Sequence, residues 1–307
     1  MRITSDVDDI AMIRSMHTSH SNHYNATLGM HTGSFAFSRP SIGSWVTYGL
    51  GSESRNLPAF VVMSDPLDRG LPKGHASNWG AGFLPSVYQG TWLRPKGDPI
   101  DNLHRPAGMN AEAQRAQLDL LRSLNQQHLA QAGSEGELGA RIESFELAYR
   151  MQTSVPELTD ISKESPATLD AYGPEVRKPG TYAANCLLAR RLLERDVRFV
   201  QLFHRGWDQH VALSRQLPNQ CQDIDQPTAA LIKDLKARGL LEDTLVIFAT
   251  EFGRTAFTQG GFGNPASGRD HHGRCFSVFL AGGGIKPGFE YGVTDDFAYN
   301  IAKDGVH

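Results

Sequence analysis

The stretch from Tyr182 to Ala281 limits the fold of this chain more than any other. A helical run, Tyr182 to Arg195, leads into an apolar, β-branched run, Val197 to Phe203. A second helical run, Pro227 to Arg238, leads into Thr244 to Ala249, and Phe276 to Ala281 follows as another strand-length apolar run. Asp225 stands where the second helix needs an N-cap, and Gly239 where it needs a C′ residue. Strand, helix, strand in this order predicts a βαβ crossover and a mostly parallel sheet, hence an α/β fold.

The rest of the chain reads less regularly. Ile10 to Arg14 predicts a short strand and Leu57 to Met63 a buried one. Tyr24 to Met30 predicts a helix, as does the segment opened by Pro40-Ser41 and ending near Gly49 or Gly51. Residues 65 to 110 are rich in Gly, Pro, Asn and aromatics without periodicity, the kind of long excursion that more often serves function than connection. Helical spacing returns in Ala111 to Ala130 (Leu118, Leu121, Leu124, His128) and in Leu138 to Met151 (Ile142, Phe145, Tyr149), before a proline-bearing loop from Thr153 to Gly180. These features predict a single domain over 1–307, with a helical and loop insertion at 65–180 covering one sheet edge. Asp6 to Arg14 already reads as the tail of a helix entering a strand, and Lys303 to His307 stops without a closing element, so both ends are expected to be cut.

Composition excludes several partners. A formal charge of −3 with no basic tract argues against nucleic acid. The apolar runs are strand-length, such as Leu245 to Ala249, so no membrane span is expected. Cys186, Cys221 and Cys275 are widely spaced without a CxxC pair, which fits small buried side chains better than a zinc knuckle.

Three polar clusters sit where strands give way to loops, the place where open α/β sheets put their ligands. After Val197–Phe203 come His204, Asp208 and His210; two residues apart in extended chain, Asp208 and His210 point the same way and suit one ion or neighbouring ions. After Thr244–Ala249 comes Glu251, then Arg254, whose fork of donors suits a phosphate or sulfate. Before Phe276–Ala281 come Asp270, His271 and His272. The competing readings are a solvated loop for the first, a structural salt bridge to Glu251 or Asp270 for Arg254, and a polar turn for the third. An N-terminal loop adds His17, His20 and His23, with Thr18, Ser19 and Ser21 as candidate hydroxyl nucleophiles; a polar loop capping the next helix is the alternative.

These residues carry a resemblance. Ile13-Arg14-Ser15-Met16-His17, Asn22-His23, Thr32-Gly33, Arg39-Pro40-Ser41-Ile42-Gly43-Ser44-Trp45, Leu57-Pro58-Ala59-Phe60-Val61-Val62, Gly206-Trp207-Asp208-Gln209-His210, Glu251-Phe252-Gly253-Arg254-Thr255, Asp270-His271 and Gly282-Gly283-Gly284-Ile285-Lys286-Pro287-Gly288 span nearly the whole chain. Together they resemble the uncharacterised sulfatase-like family (domain of unknown function 1501) of the alkaline phosphatase superfamily. The resemblance implies a doubly wound, mostly parallel α/β sheet of the alkaline phosphatase/sulfatase type with a two-metal hydrolytic site, and an exported or periplasmic protein. By it, Asp208 and His210 look like an aspartate–histidine ligand pair, though more closely spaced than usual, and His271 like a later histidine ligand. Glu251 and Phe252 stand where an Asp-His pair is usual. At the interval before Thr32-Gly33 where the superfamily carries its nucleophile, this chain has Asn22 and His23.

The expectation is a metal-dependent hydrolase of phosphate or sulfate esters. Asp208, His210, Glu251, Asp270 and His271 would hold one or two divalent ions, with mixed N/O ligands favouring Zn or Mn and leaving Ca or Mg open. Arg254 would grip the anionic ester substrate, and His23 or His17 would act as acid or base. The rival expectation is a non-catalytic protein that keeps the fold and binds a glycan or cell-envelope partner through the 65–110 excursion.

Overall fold

The computed structural model describes residues 3–65, 71–101, 103–132, 136–259 and 266–307. Among them the chain is a mixed α/β structure of seven α-helices and eleven strands. In chain order these are β1 (Ile10–Met16), α1 (His23–Thr32), α2 (Ile42–Leu50), β2 (Phe60–Asp65), β3 (Thr91–Trp92), α3 (Ala111–Ala132), α4 (Gly136–Thr159), α5 (Pro166–Tyr172), α6 (Tyr182–Leu193), β4 (Phe199–His204), α7 (Leu213–Ala237), β5 (Val246–Phe248), β6 (Gly253–Arg254), β7 (His271–His272), β8 (Phe276–Ala281), β9 (Phe289–Tyr291), β10 (Val293–Thr294) and β11 (Ile301–Lys303). No helix among the described residues is long and apolar enough to cross a membrane.

The strands do not join into the expected doubly wound sheet. One sheet, ordered β3-β2-β4, is parallel, with β2 and β4 in register from Phe60↔Phe199 to Asp65↔His204. Its central strand is buried at every position, the reason Phe60 to Met63 reads as an unbroken apolar run. The second sheet, ordered β5-β8-β1-β9, is mixed: β8 runs antiparallel to both β1 and β5, while β9 runs parallel to β1. The predicted crossover from β4 through α7 to β5 therefore links two sheets. The connection from β5 to β8 carries the antiparallel pair β6–β7, and β8 returns antiparallel to β5.

Helix boundaries shift with tertiary contact. The second predicted helix begins at Leu213 rather than near Pro227, because α7 runs on through Pro218 and Pro227. Asp225 is thus inside α7, and its Oδ1 accepts from the Ile3 amide instead of capping. The C-terminal expectation holds: Gly239 sits in the left-handed region at φ 70°. The predicted 138–151 helix extends to Thr159, past Pro156.

Helix α6 ties the two sheets together. Its Cys186 and Leu187 pack with Ile10, Phe279, Ala281 and Ile232 beneath the mixed sheet. Its Ala189 and Leu192 pack with Val61, Met63, Val155 and Leu158 beneath the parallel one. Leu192 is fully buried, a gain of about 1.5–3 kcal/mol over exposure. One helix thus sets the positions of β4 and β5, whose C-terminal ends carry the polar clusters.

Candidate metal centre

The site is assembled from four places in the chain. His23 is the first residue of α1, whose N-cap Asn22 accepts from the Tyr24 amide. Asp208 and His210 follow β4, and Glu251 follows β5. The β6–β7 pair sets Arg254 opposite His271 and Gly253 opposite His272. Glycine is required at 253: a Cβ there would lie 2.5 Å from the Cys275 carbonyl oxygen. Phe252, buried to 4% exposure, forms the floor, with its ring 4.9 Å from that of His23 and 4.6 Å from that of His271.

Three imidazole nitrogens meet one carboxylate oxygen. Asp208 Oδ1 lies 3.1 Å from His23 Nε2, 3.0 Å from His210 Nε2 and 3.1 Å from His271 Nε2. His210 Nε2 and His271 Nε2 are 2.9 Å apart. His23, Asp208 and His271 form one group able to hold a metal, and His210, Asp270 and His271 an overlapping second. The Asp208 side chain is 50% exposed, so solutes reach the cluster.

The far side of each ring is already engaged. His271 Nδ1 donates to the Ser21 carbonyl at 2.6 Å; a carbonyl only accepts, so this nitrogen carries the proton. His23 Nδ1 donates to Glu251 Oε1 at 2.5 Å, and His210 Nδ1 to Gln259 Oε1 at 2.7 Å. In the neutral rings the three Nε2 atoms then carry lone pairs, and they face one another. His23 Nε2 is buried and, among the described residues, has no hydrogen-bond partner: Asp208 Oδ1 is near but off the line a hydrogen bond needs.

Electrostatics follow from this crowding. The Glu251 hydrogen bond raises the His23 pKa; burial opposes it, and Asp208 adds to the rise. Burial pushes Glu251 up, but the bond from His23 outweighs it and leaves that carboxyl below its usual value. Burial also pushes Asp208 up, but the hydrogen bond from Arg254, with the His23 and His271 rings close by, holds it well below the carboxylate range.

The predicted residues divide clearly. The structure brings His23, Asp208, His210, Glu251, Arg254, Asp270 and His271 together. Glu251 meets the cluster through His23. Arg254 Nη2 donates to Asp208 Oδ1 and the Trp207 carbonyl, both at 2.7 Å, and Nη1 to the Arg269 carbonyl at 3.2 Å; its ion-pair partner is Asp208, neither Glu251 nor Asp270. Asp270 accepts from the His271 amide and is 3.8 Å from His210 Nδ1. His17 lies apart, its ring edge-on to His307 at 5.0 Å, and Ser19 Oγ also contacts His307. His204 is buried away from the cluster, bonded to Asp65 at 2.7 Å and Gln220 at 3.0 Å. His272 stacks on Tyr299. Sequence reasoning missed Gln259 and the Ser21 carbonyl; the first stands in an unpatterned loop, and the second is backbone, which every residue carries.

Residues 2–307 match the family described as "Protein of unknown function (DUF1501)". No curated protein and no solved structure matches the chain. With almost every residue inside the match, the chain belongs to the DUF1501 family.

Proposed function

We propose that the protein is a metal-dependent hydrolase of phosphate or sulfate esters, built on one divalent ion held by His23, Asp208, His210 and His271. The observation carrying this reading is the convergence of three Nε2 atoms on Asp208 Oδ1 within 3.1 Å. A tetrahedral ion with bonds of about 2.0–2.1 Å keeps its ligand atoms roughly 3.3 Å apart, so the contacts of 2.9 to 3.1 Å among Asp208, His210 and His271 and between Asp208 and His23 would open by a few tenths of an ångström. Calcium, with about 2.3–2.6 Å bonds and oxygen preference, fits worse. Zinc is the best match to three imidazoles and one carboxylate, manganese the next. The two donor groups share His271, which favours one ion over two.

Bound there, such an ion would polarise an ester oxygen and make water a better nucleophile. The chain's own groups would do the rest. Glu251 holds the Nδ1 proton of His23, Arg254 steadies Asp208, and Asp270 stands at the exposed rim beside His210 as the carboxylate placed to accept a proton. Thr18, Ser19 and Ser21 do not contact the converging atoms through their hydroxyls, which supports attack by water over a serine or threonine intermediate. The sulfatase-like reading, the tie to the alkaline phosphatase superfamily and an exported location rest on motif resemblance. They are part of the proposal.

A second reading is favoured by Arg254, which turns three of its five N–H donors to Asp208 and two carbonyls rather than to an anion. It is a binding protein that uses the ion to hold a glycan or envelope component. Elemental analysis of the purified protein, followed by aryl phosphates and aryl sulfates with Zn, Mn or Ca added, separates the two. Near one equivalent of metal with turnover of either ester class supports the hydrolase. Metal without turnover selects the binding protein, and failure to bind any of the three metals overturns both.

A further inference from the structure

We infer that Gln259 is a positioning residue for the metal centre: its side-chain oxygen fixes the ring of His210 so that Nε2, and not Nδ1, is presented to the ion. The inference rests on the proposed metal centre. His23 and His271 are fixed by Glu251 and by the Ser21 carbonyl, and Asp208 by Arg254. Gln259 Oε1, 2.7 Å from His210 Nδ1, is the third such ring partner, so each of the three converging imidazoles has a second contact at its outer nitrogen. Partners of this kind set the tautomer and ring orientation of a ligand histidine.

The backbone holds the pair in register. Gln259 N donates to the Gly268 carbonyl at 2.8 Å, and Gly268 N returns a bond to the Gln259 carbonyl at 3.3 Å. Gly268 in turn lies on the residue 209–210 backbone, where a Cβ would be 2.2 Å from the His210 carbonyl carbon. Arg269 N donates to the Gln209 carbonyl at 3.0 Å. The segment 266–269 therefore touches both residues, and the contact between Gln259 and His210 follows from this pairing rather than from a chance meeting of two surface side chains.

The test titrates zinc into the full-length wild-type protein, Gln259→Leu and Gln259→Glu, against a competing chelator. Gln259→Leu keeps the bulk and removes the acceptor; Gln259→Glu restores an acceptor. Outer partners typically change metal affinity about 10–100-fold, and because water can replace an exposed amide, the Leu variant should lose about tenfold. The Glu variant should bind within about twofold of wild type. Equal affinity for the Leu variant, or an equal loss in both variants, overturns the inference. An independent readout uses wild type alone: long-range proton–nitrogen NMR of the zinc-loaded protein should show His210 protonated at Nδ1 and ligated at Nε2. The reverse assignment overturns the inference even if the Leu variant does not fold. Wild-type protein that takes up no zinc, manganese or calcium fails the metal-centre reading instead.

Discussion

Two polar clusters of this molecule look alike in composition and differ in how they close. Against α6, Arg190 is 2% exposed and pairs with Glu164 at 2.7 Å and Glu194 at 2.6 Å, while Arg191 pairs with the other oxygen of Glu164. Each cation there meets a carboxylate, and the network also takes in Asp234 and Arg238. Around Asp208 the count does not close: three imidazoles and Arg254 crowd one oxygen, and two ring nitrogens face each other at 2.9 Å. A structural cluster pairs its charges, even where one donor, Arg190 Nε beside Asp234, makes no hydrogen bond, because an unpaired buried charge is too costly to keep. A ligand cluster leaves lone pairs directed at a common point, and only a proton or a cation there relieves them.

The contrast breaks most sharply at Glu164. Glu164→Gln removes the partner of two buried guanidinium groups and should cost about 3–5 kcal/mol of unfolding free energy in urea titrations, with metal content unchanged. Metal lost along with stability would show that the two clusters are coupled. Asp208→Ala should do the reverse: zinc affinity should fall more than about 100-fold by chelator competition, and stability of the metal-free protein should hold within about 1 kcal/mol. Full metal content in that variant would remove Asp208 from the ligand set.

Gly268→Ala should move the His210 backbone and lower metal affinity about tenfold, at a stability cost of about 1–3 kcal/mol from overpacking. Wild-type affinity there would mean that the 266–269 segment plays no part in placing His210.

A separate effect is on pH. Burial lowers the His31 pKa from 6.5 to about 4, opposed by the Glu251 charge. The unfolded chain thus takes up a proton below pH 6.5 that the folded chain refuses until about pH 4. Stability from this group is present above 6.5 and falls across that window, by at most about 1.4 kcal/mol per pH unit. His31→Gln should flatten that part of the stability curve in denaturant titrations run from pH 7 to 4. An unchanged slope would show that His31 titrates normally.

Parts of this were legible residue by residue. β2 could be read because a strand buried on both faces must be apolar at every position. Asp208, His210 and His271 stand out because ligand-type side chains gather at strand ends, where open α/β sheets place their ligands. The start of α7 is placed too late by sequence because Asp225 and Pro227 look like an N-cap and a first-turn proline; the helix runs on upstream through Pro218, although its burial, Gln220 aside, begins only at Pro227. The direction of β8 was misread because an apolar six-residue run is the same sequence in either orientation. Glu251 reads as a ligand by type, and the structure puts its Oε1 on His23 Nδ1; residue type alone does not say which neighbour a carboxylate faces.

The sequence by itself determined the longer strands and most of the helices, though not the short strands β3, β6, β7 and β9 to β11 or helix α5, and which side chains have metal-binding chemistry, because both depend on local pattern and residue type. Tertiary structure alone decided how the strands divide between two sheets, that His23 joins the cluster from a helix N-terminus 185 positions before Asp208, and that a backbone carbonyl and Gln259 hold the rings from behind. The physical reason is that periodicity and chemical identity are properties of neighbours along the chain. Strand direction and ring orientation are set by contacts between residues far apart in it.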